Sequence, residues 1–225
     1  MKPWLLTAGV GLLMLFIAAG TVRSGLLLRS WTPRHNLLLS LPDNALRLAL
    51  IGLCLVLGLT LGPGRRGLGW EVADLPIGLG AGIVLALALS LAGASLASRY
   101  GVDVYANRMV RLILPVDRRE WAGVLVALLP AAALEELLFR WLPLAGLAWL
   151  VPPWWLLWPL ALFFGLLHWP QGWWGVAGTA LAGLAFSFLF LATGSLWPPL
   201  VAHYVVNLSQ LLVARLAGLE PLRSA

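Results

Sequence analysis

The sequence predicts an all-α, polytopic transmembrane bundle of about seven spans. Three observations predict it. Of the 225 residues 61% are hydrophobic and only 11% charged, the mean hydropathy is +0.91, and apolar runs long enough to cross a hydrocarbon core recur along the whole chain. A water-soluble domain of this size needs far more polar surface. Helices are the secondary structure expected of these runs, because lipid satisfies no open backbone donor or acceptor. The thirteen Trp, several near the ends of the runs, suit interfacial belts that keep an indole N–H wet.

The first run, Trp4 to Val22, follows Lys2. It is longer than a signal-peptide core and further spans follow, so it reads as a retained first helix. Ala45 to Leu61 and Leu75 to Ala97 are the second and third spans. The fourth, Trp121 to Leu150, contains a polar motif, and Trp154 to Trp169, Gly175 to Thr193 and Trp197 to Leu216 complete the set. Turn formers separate several of them: Gly62, Pro63 and Gly64; Pro152 and Pro153; Pro170, Gln171 and Gly172; Gly194 and Ser195. Between spans three and four, Arg99 to Glu120 alternates Arg108 and Arg111 with Met109, Val110, Leu112, Ile113 and Leu114. This segment reads equally as a short helix on the inner leaflet or as an ordinary basic loop.

The net charge of +6 does not point to nucleic acid, since the Arg residues sit in short loops rather than in one stripe. Their placement sets topology instead. Eleven fall on one side: Arg23, Arg29, Arg34 and Arg47 around the first loop, Arg99, Arg108, Arg111, Arg118 and Arg119 in the third, and Arg215 and Arg223 at the C-terminal end. Lys2, Arg65 and Arg66 fall on the other. The positive-inside rule then puts the N-terminus out and the C-terminus in, in a plasma (inner) membrane. The lone cysteine, Cys54, lies in an apolar run, so no intrachain disulfide forms and no thiol chemistry is indicated.

The chemistry lies in the second half. The fourth span reads Leu134, Glu135, Glu136, Leu137, Leu138, Phe139, Arg140. Two carboxylates and a guanidinium facing lipid cost at least ~2.5 kcal/mol each, so they are expected to face a protein interior or a wet cavity. Glu136 and Arg140 form an i, i+4 pair in the favourable order, and Glu135 points about 100° away. Glu136 is therefore expected to spend its charge on Arg140, leaving Glu135 as a general base. A purely structural ion-pair network is the competing reading. His168, in the fifth span, and His203 with Asn207 and Gln210 at i, i+4, i+7 in the last are each ambiguous alone. An interfacial histidine and a polar helix-packing stripe are common. Their combination is less so: His35 is the only other histidine, and spans one to three carry no carboxylate deep in the bilayer. The six side chains Glu135, Glu136, Arg140, His168, His203 and Asn207 are expected to converge on one wet pocket. One difficulty stands. Counting ~1.5 Å per residue from the span starts sets His168 roughly 12 Å nearer the inner face than Glu135 and His203, unless Pro152, Pro153 and Pro159 delay or bend the fifth span.

These residues resemble the CPBP family of CAAX-type intramembrane endopeptidases, which includes the Abi and bacteriocin-processing proteins. Glu135, Glu136 and Arg140 fit EExxxR, Phe164 and His168 fit FxxxH, and His203 and Asn207 fit HxxxN, in order on successive spans. One departure is Trp141, where many relatives carry Gly. The resemblance implies peptide-bond hydrolysis in a membrane cavity, acting on a peptide or protein substrate such as a C-terminal tail. Glu135 would activate water with help from His168, while His203 and Asn207 would stabilise the oxyanion and Glu136 and Arg140 would form the supporting ion pair. It also implies a division into N-terminal helices with an inner-leaflet loop (1–120), a catalytic helix core (121–217) and a short tail (218–225). Membrane lipid is the other expected partner.

No cofactor is required by this reading. Its metal alternative is zinc held by Glu135, His168 and His203 with one position left for water, although the sequence lacks an HExxH helix. Two other classes compete: a non-catalytic membrane scaffold or immunity protein, and a proton-coupled transporter. The transporter predicts repeat symmetry, and residues 1–110 and 111–225 show no such echo.

Overall fold

The computed structural model describes residues 2–101 and 108–223. Among these every regular element is helical. Seven long helices follow the seven apolar runs: α1 (Lys2–Ser30), α2 (Leu41–Thr60), α3 (Asp74–Tyr100), α5 (Arg118–Glu136, continued to Ala145), α6 (Pro153–Leu167), α7 (Gly172–Thr193) and α8 (Trp197–Leu216). The short α4 (Arg108–Ile113) precedes α5. Five of them, α1, α2, α3, continued α5 and α7, are long and apolar enough to cross a membrane. α6 is apolar but has only 15 residues, and α8 has 20 but carries the polar stripe. Large apolar side chains such as Leu12, Leu15, Val84, Leu91 and Val126 face outward, whereas Glu136, Arg140, Ser187 and His203 are buried. That inversion is what a bilayer solvent imposes, and the chain is an integral membrane protein.

The helix that carries the acidic pair starts at a local cap. Asp117 accepts the Glu120 N–H at 2.8 Å, and Glu120 reaches back to the Val116 N–H at 3.1 Å. The helix passes through Pro130 to Glu136 and then widens to a π-helix over Leu137–Ala145, a stretch that contains Pro143. Proline supplies no N–H to the ladder, and a π-helical turn is one way of rearranging the bonds around it. Trp141 is fully buried here. Its Nε1–H donates to the Arg66 carbonyl at 2.8 Å, and its ring lies against Gly58 of α2, where any Cβ would collide with it. The buried tryptophan is thus matched by a glycine on the facing helix.

The helix that carries His203 is held by close approach to α3, one of the two most extensive helix pairs. A Cβ on Gly82 would stand 2.8 Å from Val205 Cβ and 2.9 Å from Ala202 Cα, and one on Gly78 2.7 Å from Val201 Cβ. Small residues four apart let the two backbones meet. At the helix starts, buried Asp74 accepts the Ser195 hydroxyl at 3.0 Å and the Glu71 N–H at 2.8 Å, tying α3 to the turn before α8. The other extensive pair is α6 with α7, where a Cβ on Gly165 would lie 2.6 Å from the Val176 carbonyl oxygen.

The prolines do not delay the fifth span. α6 begins at Pro153, in the first turn where a missing N–H costs nothing, and continues through Pro159. Within Arg99 to Glu120, residues 102–107 lie outside the described set, and α4 follows them. The C-terminal tail is strapped across α4. Arg223 donates to the carbonyls of Arg111, Leu112 and Leu114 at 3.2, 3.0 and 3.0 Å and pairs with Glu120 at 3.3 Å. Buried Asn36 donates to the Ile113 carbonyl at 2.9 Å from the loop before α2.

Candidate active site

Adjacent positions on α5 meet different surroundings. Glu136 and Arg140 both have fully buried side chains, with Nη1 3.0 Å from Oε1. The guanidinium is also committed to α7: Nη2 donates to the Gly183 carbonyl at 3.0 Å and Nε to Ser187 Oγ at 3.3 Å. Its carbon lies 4.9 Å from the Phe164 ring centroid and 5.4 Å from that of Phe186, inside cation–π range. One helical step away, the Glu135 side chain remains 34% exposed.

His203 connects the two carboxylates. Its Nδ1 lies 2.7 Å from Glu136 Oε1, and its Nε2 lies 3.5 Å from Glu135 Oε2. Glu136 is acceptor-only as an ion, so this geometry assigns the proton of that short bond to Nδ1. The imidazole stacks on Phe186 with centroids 4.8 Å apart and an 18° tilt, and meets Phe164 edge-on at 6.0 Å. A continuous polar chain therefore runs Ser187–Arg140–Glu136–His203–Glu135 and joins α7, α5 and α8. Two carboxylate oxygens along it, Oε2 of Glu135 and of Glu136, are buried without a hydrogen-bond partner.

Beside this chain a cleft of about 220 Å³ opens between α3, α7 and α8 and the end of α6. Its walls include His168, His203, Asn207, Gln210, Thr179 and Ser90. No Asp, Glu, Lys or Arg lines it, and Glu135 reaches it only through His203. His168 sits at the C-terminal cap of α6 with Nδ1 2.7 Å from the Phe164 carbonyl oxygen. A carbonyl only accepts, so Nδ1 is the donor and Nε2 is left for another partner. The His168 ring packs on Phe164 at 4.7 Å, so both histidines touch the same phenylalanine. His168 and His203 thus share one phenylalanine and line one cleft, which extends along α3 and α8.

The six predicted residues thus divide. Glu136, Arg140 and His203 form one bonded chain with Glu135 beside it, 3.5 Å from His203 Nε2; His168, His203 and Asn207 line one cleft; His203 alone belongs to both. Three contributors lay outside the sequence reading: Gly183 and Ser187, which hold Arg140, and Phe186, which carries His203. Gly175, Thr179, Gly183 and Ser187 are small residues four apart on α7, a stripe that signals close helix approach. Phe186 has no sequence signal that separates it from the other apolar residues of its helix. Each histidine holds an oxygen at Nδ1, as zinc ligands also do. Among the described residues, however, no three His, Cys, Asp or Glu are gathered so that one ion would reach them all. The residues as placed do not make a zinc set.

No curated protein and no solved structure matches the chain. Residues 117–209 match the family model described as type II CAAX prenyl endopeptidase Rce1-like, a stretch that contains all six residues above. Over that stretch, 93 of the 225 residues, the chain is similar to the Rce1-like family of CAAX-type endopeptidases.

Proposed function

We propose that this protein hydrolyses a peptide bond inside the bilayer by a water that Glu135 activates, with His168, His203 and Asn207 completing the site. The observation that carries the reading is the split between the two glutamates. Glu136 is fully buried and shared by Arg140 and His203, whereas Glu135 is partly exposed with only His203 Nε2 near it, at 3.5 Å. A base must be reachable by water, and Glu135 is the carboxylate that remains partly exposed.

The sequence of events uses this chain's residues alone. Substrate enters the cleft as an extended segment, where Ser90, Thr179 and Gln210 offer neutral hydrogen-bonding groups. Water lies between Glu135 and the scissile carbonyl, and His168 Nε2 orients it. As oxygen adds to the carbonyl carbon, the water proton passes to Glu135, and the carbonyl oxygen becomes an oxyanion. Asn207 Nδ2–H and His203 Nε2–H donate to that oxyanion, a type of contact worth roughly 10²- to 10³-fold in rate per donor. Collapse breaks the C–N bond, and Glu135 returns its proton to the leaving amine. His203 holds Nε2–H in this scheme while Nδ1–H rests on Glu136. With Arg140, two cations then balance two carboxylates, which suits a low-dielectric interior.

The test is cleavage by purified protein in detergent or nanodiscs, using a peptide library that includes prenylated and unmodified C-terminal tails. Glu135→Gln is expected to lose about 10²- to 10⁴-fold in rate while keeping its thermal stability. Full activity of that variant would end the glutamate mechanism, and loss of wild-type activity on chelation would replace it with a metal-dependent one.

A further inference from the structure

A second cavity lies away from the cleft, where the end of α1, the start of α4 and the α6–α7 junction meet. It has a volume of about 440 Å³ and is walled by Arg29, Arg108, Trp169, Pro170, Gly172 and Trp173, with Gly25, Leu28, Met109 and Val176 behind them. That size lies within the ordinary range for small-ligand sites. Two guanidinium groups face it, and none of the residues around it is acidic. Neither arginine forms an ion pair with a described residue. Arg29 lies over the Trp169 ring, 4.9 Å from its centroid. Arg108 is fixed by three bonds, Nε to the Leu28 carbonyl at 2.8 Å, and Nη2 to Thr32 Oγ1 at 2.6 Å and to the Trp31 carbonyl at 3.2 Å. Those three use only Nε and Nη2, so Nη1 makes no hydrogen bond to another described residue.

Two further donors stand in the same wall. The Trp169 indole Nε1–H is buried with no acceptor. The 22-residue α7 begins there at Gly172, with no side chain capping its first turn, so its free backbone N–H groups and the positive end of its dipole add to the same field. The two arginines supply the charge, the planar forks supply paired donors, and no acidic residue among the described ones pairs with either.

We propose that this cavity binds a phosphate group, of the kind borne by an anionic phospholipid headgroup. Guanidinium forks match phosphate oxygens two at a time. The setting favours a headgroup, because basic pockets between membrane helices at the lipid surface recognise such groups, and Trp173 beside the cavity is 82% exposed to the surroundings of the bundle. The inference stands apart from the protease reading, since none of its residues belongs to the polar chain or to the cleft.

The test uses full-length protein in a neutral maltoside detergent. Binding is read by native mass spectrometry and by the shift in unfolding temperature on titration with phosphatidylglycerol, diacylglycerol or inorganic phosphate. Phosphatidylglycerol is expected to bind saturably and diacylglycerol not at all. Arg29→Gln is expected to weaken phosphatidylglycerol about tenfold, and Arg29→Gln with Arg108→Gln by about 100-fold, as loss of charge-assisted bonds predicts. Competition by inorganic phosphate would show that the phosphate itself is held; binding of inorganic phosphate without the lipid would assign the site to a soluble phosphate. Arg29 is exposed and makes no hydrogen bond that folding needs, so its variant reports on binding even if Arg108→Gln is unstable. Equal affinity for phosphatidylglycerol in wild type and Arg29→Gln, or equal retention of diacylglycerol, would overturn the proposal.

Discussion

Replacing Arg140 with methionine should cost about 3–5 kcal/mol of stability, the usual consequence of removing one partner from a buried ion pair. The structure says where the loss arises. Arg140 is fully buried and gives up its bond to Glu136 at 3.0 Å and two bonds to α7, at Gly183 O and Ser187 Oγ. Interhelical hydrogen bonds in bilayers average ~0.6 kcal/mol each, so the two α7 bonds account for only about 1 kcal/mol. The remainder comes from Glu136, left fully buried with His203 Nδ1 as its single donor and with Oε2 already unpartnered. If that is the cause, neutralising the carboxylate removes most of the penalty. Glu136→Gln keeps an oxygen for His203 Nδ1–H, so Glu136→Gln with Arg140→Met is expected within ~1–2 kcal/mol of wild type. The assay is a four-member cycle of reversible unfolding in mixed micelles, following helix content against the fraction of denaturing detergent. Additivity of the two single changes within ~0.5 kcal/mol, or a loss below ~1 kcal/mol for Arg140→Met, would refute the account of a charge-compensated chain.

Asn207→Ala removes a side chain that lines the cleft and forms no hydrogen bond among the described residues. It should leave the unfolding temperature nearly unchanged while lowering cleavage by about 10²- to 10³-fold. Gly82→Ala places a methyl 2.9 Å from Ala202 Cα and 2.8 Å from Val205 Cβ, which forces α3 from α8 and should cost about 1–3 kcal/mol by the same micelle assay. Arg223→Ala releases the tail from the carbonyls of Arg111, Leu112 and Leu114. Hydrogen exchange read by mass spectrometry should then rise in α4 and in residues 217–223, but not in α7.

The apolar runs fixed the helices because in lipid every backbone bond must close within its own segment, so length and hydropathy carry nearly the whole signal. Glu136 with Arg140 was legible for a related reason: an i, i+4 pair is set by one helix alone and needs no knowledge of the neighbours. The bond from His203 Nδ1 to Glu136 was not legible. It depends on how closely α8 approaches α5, and hence on Gly78 and Gly82 letting α3 press α8 inward, which involves residues more than fifty positions apart. The relation of His168 to the other site residues depends on the neighbouring helices for the same kind of reason. The count treated every span as a straight rod starting at the membrane face, whereas Phe164, four residues earlier on α6, reaches both imidazoles and fixes their relation.

The four bonded site residues are tied across three helices, but His168 is not. Among the described residues its side-chain hydrogen bond is to the Phe164 carbonyl of its own helix, and its ring contact is with Phe164, 4.7 Å away and itself 6.0 Å from His203. Any displacement of α5 or α8 must therefore stretch the chain Arg140–Glu136–His203, which low local dielectric makes costly. A displacement of α6 breaks no hydrogen bond or ion pair of that chain among the described residues, only ring contacts such as that of Arg140 on Phe164. The geometry thus separates a rigid part, which fixes the proposed base and its partners, from a part whose position rests on apolar packing of α6 against α7 at Gly165 and Val176. Substrate that enters beside α6 meets the compliant wall of the cleft, while the charges that would act on it stay where the ion pairs hold them.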